Sequence, residues 1–173
     1  PGEASPFAGC EADALEVLSL HVGYAFRGQM IADVPLGALL SGGIDSTAIV
    51  SLMQAHSSRP VRTFTIGFEE CGYDEAAHAR AVAAHLGTDH TELRLAAADA
   101  LALIPHMPTM YDEPFADSSQ LPTHLIMKLT RQHVTVALAG DGGDELFGGY
   151  NRYFFCPKLW RSIGWMPFPR LRR

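Results

Sequence analysis

Two short apolar runs in this chain each end in a glycine-rich turn that leads directly into a helical stretch. Val34-Pro35-Leu36-Gly37-Ala38-Leu39-Leu40 runs into Ser41-Gly42-Gly43-Ile44-Asp45-Ser46, and Val134-Thr135-Val136-Ala137-Leu138-Ala139 runs into Gly140-Asp141-Gly142-Gly143-Asp144-Glu145. Strand, tight turn and helix in that order form the repeating unit of a parallel sheet, whose turns open at the carboxyl edge where such sheets bind ligands. The rest of the chain keeps the rhythm. Leu15, Leu18, Val22 and Phe26 fall at helical spacing between Glu11 and Met30, and Ser46 to Ala55 reads as the helix after the first strand. Arg62 to Phe68 reads as a strand, Glu75 to His85 as an alanine-rich helix stopped by Gly87, and His90 to Leu95 as a shorter strand. A helical stretch from Ala97 is expected to break at Pro105 and Pro108, and another from Gln120 to Gln132 leads into a fourth strand at Val134. The predicted fold class is therefore α/β, with a largely parallel sheet, strands apolar on both sides, and helices on both faces.

Phosphate chemistry is written into the first turn. Gly42 and Gly43 let the backbone approach an anion and turn N–H groups inward, while the hydroxyls of Ser41, Ser46 and Thr47 add donors at a helix N-terminus. Asp45 is the odd member, because a carboxylate facing a polyphosphate is repelled unless an oxygen-liking cation lies between them, and Mg2+ is the usual one for nucleotides. The second turn repeats that logic with Asp141, Asp144 and Glu145. Either turn alone reads better as helix capping, with Ser41 and Asp45, or Asp144 and Glu145, merely stabilising a first helical turn. Together they favour a nucleotide and its metal. The chain has no G-x-x-x-x-G-K-[ST] loop, and Glu145 stands where a dinucleotide fingerprint needs its third small residue.

The Ser41-Gly42-Gly43-Ile44-Asp45-Ser46 turn resembles the loop of the pyrophosphatase-loop ATPases, and Gly140-Asp141-Gly142-Gly143-Asp144-Glu145-Leu146-Phe147-Gly148-Gly149-Tyr150 resembles their asparagine synthetase branch. Further similar segments are Thr63-Phe64-Thr65-Ile66-Gly67-Phe68, Tyr73-Asp74-Glu75, His85-Leu86-Gly87-Thr88-Asp89-His90 and Asp112-Glu113-Pro114-Phe115-Ala116-Asp117. The resemblance implies a Rossmann-like three-layer fold of the adenine nucleotide α-hydrolase kind, with ATP as substrate and Mg2+ held by Asp45 and Asp144. It implies that Leu39 and Ile66 line the adenine pocket, although both also read as plain core residues, and that Ala139 and Gly140 lend backbone near the nucleotide. It further implies that the side-chain carboxylate of aspartate attacks the α-phosphate, and that ammonia derived from glutamine then displaces AMP to give asparagine. Asp141 matches the position that meets the acyl-adenylate and takes a proton from the attacking amine. Glutamate is common there, and aspartate is shorter. The alternatives are an adenylating synthetase with another acceptor, of the β-lactam-forming or surface-polysaccharide kind, and an inactive nucleotide-binding fragment.

At 173 residues the chain has the length of about one domain. We expect residues 1–12 to be a linker, 13–155 part of a synthetase domain, and 156–173 a basic aromatic tail. The chain opens Pro1-Gly2-Glu3, without the terminal cysteine nucleophile of the family's glutaminase domain, so that domain is expected upstream or in trans. A lysine that touches the phosphates in the family is expected beyond residue 173, and homodimerisation of the full-length protein is left open. Cys10, Cys71 and Cys156 form neither a disulfide framework nor a C-x-x-C pair, and the eight histidines are scattered, so none is assigned to catalysis. No apolar run approaches the roughly 20 residues that span a bilayer, and a cytoplasmic protein is expected. Asp112, Glu113 and Asp117, in a proline-flanked loop, either face the cleft or are simply solvated.

Charge is unevenly spread. All 19 acidic residues lie at or before Glu145, whereas Arg152, Lys158, Arg161, Arg170, Arg172 and Arg173 follow it with no acid among them. Tyr153, Phe154, Phe155, Trp160, Trp165 and Phe168 interleave with these cations, a pattern that suits RNA or an anionic membrane surface. The reading adopted is that these aromatics pack against further parts of the domain, so neither nucleic acid nor membrane is an expected partner.

Overall fold

A computed structural model of the chain describes residues 6–68, 76–113 and 116–163. Tyr73-Asp74-Glu75, Cys71, Pro114-Phe115 and the tail from residue 164, with Trp165, Phe168 and its last three arginines, lie outside the described residues. The elements run α1 (Glu11–Gln29), β1 (Leu36–Leu39), α2 (Ile44–His56), β2 (Arg62–Phe68), α3 (Ala76–Leu86), β3 (Asp89–Leu95) and α4 (Ala97–Leu103). A 3-10 turn (Ile104–His106) follows, then α5 (Met107–Met110), α6 (Gln120–Thr130), β4 (Val136–Leu138), α7 (Gly143–Phe147) and α8 (Asn151–Ile163). The expected order of strands and helices is present, with small differences at their ends. Pro105 and Pro108 do not end the helical path outright. Each sits in a first turn, where its missing N–H costs nothing, so the chain steps through a 3-10 turn and a new short helix.

The four strands form one sheet in the order β3-β2-β1-β4, and every neighbouring pair is parallel. The chain builds outward from β1 through β2 to β3 and then returns to the other side of β1, so the order reverses between β1 and β4. At such a reversal consecutive connections leave on opposite faces and a crevice opens beyond the strand ends. Helices cover both faces, as expected. On one face Ala38 and Leu40 pack with Val50 and Met53 of α2 and Ala79 and Ala83 of α3, and Phe26 and Met30 extend that cluster to α1. On the other, Phe64, Leu39, Ile66 and Ala137 meet Ile126 and Leu129 of α6. Alternate strand residues thus supply two cores, which is why the strands read as unbroken apolar runs.

The chain divides into two compact units, Pro1–Ala139 and Gly140–Arg173. The first holds the sheet and α1 to α6. In the second, α8 carries Phe154, Phe155, Leu159 and Trp160, all more than half exposed. Its guanidinium at Arg152 lies 4.1 Å from the centre of the Tyr150 ring.

Candidate active site

The turn after β1 is shaped by its own small residues. Gly42 has φ +83°, in the left-handed region, and a Cβ there would stand 2.7 Å from the Ala79 main-chain nitrogen and 2.8 Å from His78 Cβ. Only glycine lets this turn press against the first turns of α3. Gly43, extended at φ −70° and ψ 168°, is the N-cap of α2. Ser41 Oγ and Ser46 Oγ are 2.9 Å apart, Ser46 Oγ donates to the Gly43 carbonyl at 3.3 Å, and the Gly43 N–H donates to Ser41 Oγ at 3.3 Å. The Ser41 N–H donates to Ser46 Oγ at 3.2 Å. One assignment of protons satisfies all four contacts, with Ser41 Oγ donating to Ser46 Oγ. The two serines therefore brace the turn from within.

What the turn offers outward is main chain. The N–H groups of Gly42, Ile44 and Asp45 have no hydrogen-bond acceptor among the described residues, as expected for the first turn of a helix with no carbonyl four residues back. They sit at the positive end of a 13-residue helix. Asp45, half-buried, is the carboxylate of this turn.

Beside the turn lies an open slot of about 410 Å3, lined by Leu39, Ser41, Ile66, Phe68, Pro122 and Thr123 among others. It exists because the strands differ in length. β1 stops at Leu39 while β2 runs on to Phe68. The Leu40 N–H donates to the Phe64 carbonyl at 2.9 Å, and Asp89 on the other side donates to Val61. Even-numbered residues of β2 thus turn their main-chain groups toward β1 and odd-numbered ones toward β3. By that alternation the N–H and C=O of Ile66 point to the side where β1 has already ended, and no strand pairs with them. A flat ring resting on Leu39 and Ile66 would meet one donor and one acceptor side by side.

Leu39, Ser41 and Ile66, singled out from the sequence, therefore share one concavity, and Ala139 lies one residue past β4 at the same sheet edge. Gly140, Asp141 and Asp144 belong to the second unit. There Gly142 has φ +91° and opens α7 as its N-cap, and Gly148, at φ +70°, closes it. Gly149 packs so tightly that a Cβ would overlap Asp144 Oδ1. The Tyr150 hydroxyl donates to Glu145 Oε1 at 2.5 Å, a bond that holds the Glu145 carboxyl below its ordinary range and pushes the phenol up. Asp112 and Glu113 are exposed, and Asp117 Oδ1 accepts the Ser119 N–H at 2.8 Å, which lowers its pKa and leaves it a turn residue.

Sequence reasoning missed Phe68, Pro122, Thr123 and Ile126 as slot residues. The spacing of Pro122, Thr123 and Ile126 on one helix face was a readable signal, but nothing in it named which strands α6 covers. Among the described residues no group of three or more His, Cys, Asp or Glu side chains has the arrangement of a metal site. Mg2+ bound with a nucleotide takes one or two carboxylates and draws its remaining ligands from phosphate and water, so the donors on these turns suit that ion.

Parallel strands reversing order beside a glycine-rich turn that opens a helix define the doubly wound, Rossmann-like class of α/β proteins. An NH3-dependent NAD synthetase from Campylobacter jejuni superposes with a TM-score of 0.53 over 79 % of this chain and 60 % of its own, at 12 % sequence identity, a likeness of fold alone. The family model for asparagine synthase matches residues 20–173. Asparagine synthetase [glutamine-hydrolyzing] 1 of Bacillus subtilis is 42 % identical over 125 residues, covering 72 % of this chain and 20 % of the relative. A Mycobacterium tuberculosis protein is 44 % identical over 144 residues, 83 % of this chain and 22 % of its own length. The chain belongs to the asparagine synthase family. It spans about a fifth of the length of these curated relatives.

Proposed function

We propose that this chain carries the ATP-binding part of an AMP-forming amide synthetase that converts aspartate to asparagine. The observation that carries the reading is the continuity of the slot with the turn, through Ser41, in a member of the asparagine synthase family. Adenine lies on Leu39 and Ile66, with the Ile66 main chain at its edge. Ala139 and Gly140 lend backbone close by, and the phosphates run into the turn of Ser41, Gly42, Gly43, Asp45 and Ser46. Asp45 and Asp144 are the residues proposed to hold Mg2+, which supplies positive charge that offsets the polyphosphate.

The chemistry follows from where charge develops. A side-chain carboxylate oxygen of aspartate attacks the α-phosphorus, a bond forms to that oxygen, and the bond from the α-phosphorus to the bridging oxygen breaks. Pyrophosphate leaves with the electron pair, and the outward-offered N–H groups of Gly42, Ile44 and Asp45 stabilise its growing negative charge. Ammonia then attacks the acyl carbon of the aspartyl-adenylate, AMP departs, and Asp141 accepts the proton shed by nitrogen. The ammonia derives from glutamine, through a glutaminase domain upstream or in trans, and the work is cytoplasmic.

The test is product stoichiometry. ATP is expected to yield AMP and pyrophosphate in equal amounts only when aspartate is present, with asparagine formed when ammonia is added. Asp141→Asn is expected to slow amination by about 100-fold or more, the scale of one general base, while leaving ATP affinity intact. Release of ADP and phosphate instead would refute the adenylation chemistry.

A further inference from the structure

The slot beside the phosphate turn is apolar on its strand side, and among the described residues its uncommitted side-chain polarity comes from one place. Alternation along β2 sends Phe64 and Ile66 toward α6 and sends Thr63 and Thr65 to the opposite face, where Thr63 Oγ1 contacts Thr88 Oγ1 and His90 Nδ1, each at 2.9 Å. Thr65, 5 % exposed, therefore borders the slot with its backbone rather than its hydroxyl. Ser41 is committed to Ser46 within the turn. Thr123 is different. It sits in the first turn of α6, on the same face as Pro122 and Ile126, and lines the slot opposite the strands. It is exposed, its main-chain N–H is taken by the Ser119 carbonyl at 2.9 Å, and its hydroxyl has no hydrogen-bond partner among the described residues.

A hydroxyl can donate and accept, and a heteroaromatic ring held edge-on to the Ile66 main chain leaves its other polar edge atoms unpaired. The α6 wall is where the described residues offer a side-chain partner for them. We propose that Thr123 is a specificity-determining residue for the nucleotide base, its hydroxyl hydrogen-bonding the base edge that the Ile66 main chain does not reach. The inference rests on reading the slot as a base site and adds the side chain that reads the base. Thr123 lies on α6 and not in the turn assigned to the phosphates, so its contribution is expected to be to the base alone.

The experiment separates base from phosphates. Thr123→Val, which keeps shape and loses the hydroxyl, and Thr123→Ser, which keeps the hydroxyl, are titrated with ATP and with ribose 5-triphosphate, which lacks the base. Thr123→Val is expected to weaken ATP binding by roughly 3- to 10-fold, the reach of one net hydrogen bond, while ribose 5-triphosphate binds as to the wild type. Thr123→Ser is expected to bind ATP within about 2-fold of the wild type, because the donor and acceptor remain. Unchanged ATP binding in Thr123→Val, or equal weakening of both ligands, overturns the inference and leaves the base site standing. A wild-type chain that binds ATP no better than ribose 5-triphosphate overturns the base site itself and this inference with it.

Discussion

Gly42 carries two constraints at once, a left-handed φ of +83° and a place for its α-carbon against Ala79 and His78. Alanine there must either strain the backbone or push the turn away from α3. Gly42→Ala is expected to destabilise the chain by roughly 1–3 kcal/mol, the usual cost of forcing extra volume into a packed contact. It should also abolish binding of inorganic pyrophosphate. Urea unfolding read beside a pyrophosphate titration checks both, and a variant with wild-type stability and affinity would mean that the turn does not need its present path. Gly42, Gly43 and Asp45 stood out in the sequence because their chemistry is local. Thr123 did not, because an exposed threonine on a helix acquires meaning only from the strand ends it faces.

Elements were legible wherever local pattern and burial agree. β2 runs from Arg62 to Phe68 as its β-branched and aromatic residues predict, and α6 starts at Gln120. β4, Val136 to Leu138, is shorter than its apolar run, since the Val134 N–H is still bonded back to the Thr130 carbonyl at 2.9 Å before pairing with β1 begins. The strand-length mismatch that opens the slot was not legible, because where β1 ends depends on the loop that follows it.

β3 carries a testable consequence of packing. His90 sits against β2 with Nδ1 on Thr63 Oγ1 at 2.9 Å, while its Nε2 is buried without a partner among the described residues. Burial lowers its pKa below the ordinary 6.5; Glu92 raises it in part and Arg80 lowers it further. Because the folded-state value lies below the unfolded one, the unfolded chain takes up the proton first. The stability present above about pH 6.5 is therefore lost progressively as pH falls through that value toward the folded-state pKa. The melting temperature is expected to fall between about pH 7.5 and 5.5, and His90→Gln, which cannot titrate, should remove on the order of 1–3 °C of that fall. An identical pH slope in the variant would mean that His90 does not couple to folding.

At the scale of the whole molecule, the parallel order β3-β2-β1-β4 places the ends of β1 and β4 at one edge, next to each other, where the order reverses. The sequence predicted that shared edge from two strand-turn-helix units. Two cores of alternating strand residues hold the sheet between α1–α3 and α6, and the slot opens at the end of the α6-side core, where β2 runs on past β1. Among the described residues no helix is long and apolar enough to cross a membrane. The cations after Glu145 that fall on α8 are spent partly on aromatic rings, with Arg152 over Tyr150, a contact that sequence composition could not reveal.

The most direct test of the account is calorimetric titration of the chain with a non-hydrolysable ATP analogue, with and without Mg2+, beside Asp45→Ala. The account predicts binding that depends on Mg2+ and that weakens by at least roughly 10-fold in the variant, the scale on which the loss of a supporting group acts at a metal site. The folded chain binding the analogue equally well without Mg2+, or equally well in Asp45→Ala, would contradict it.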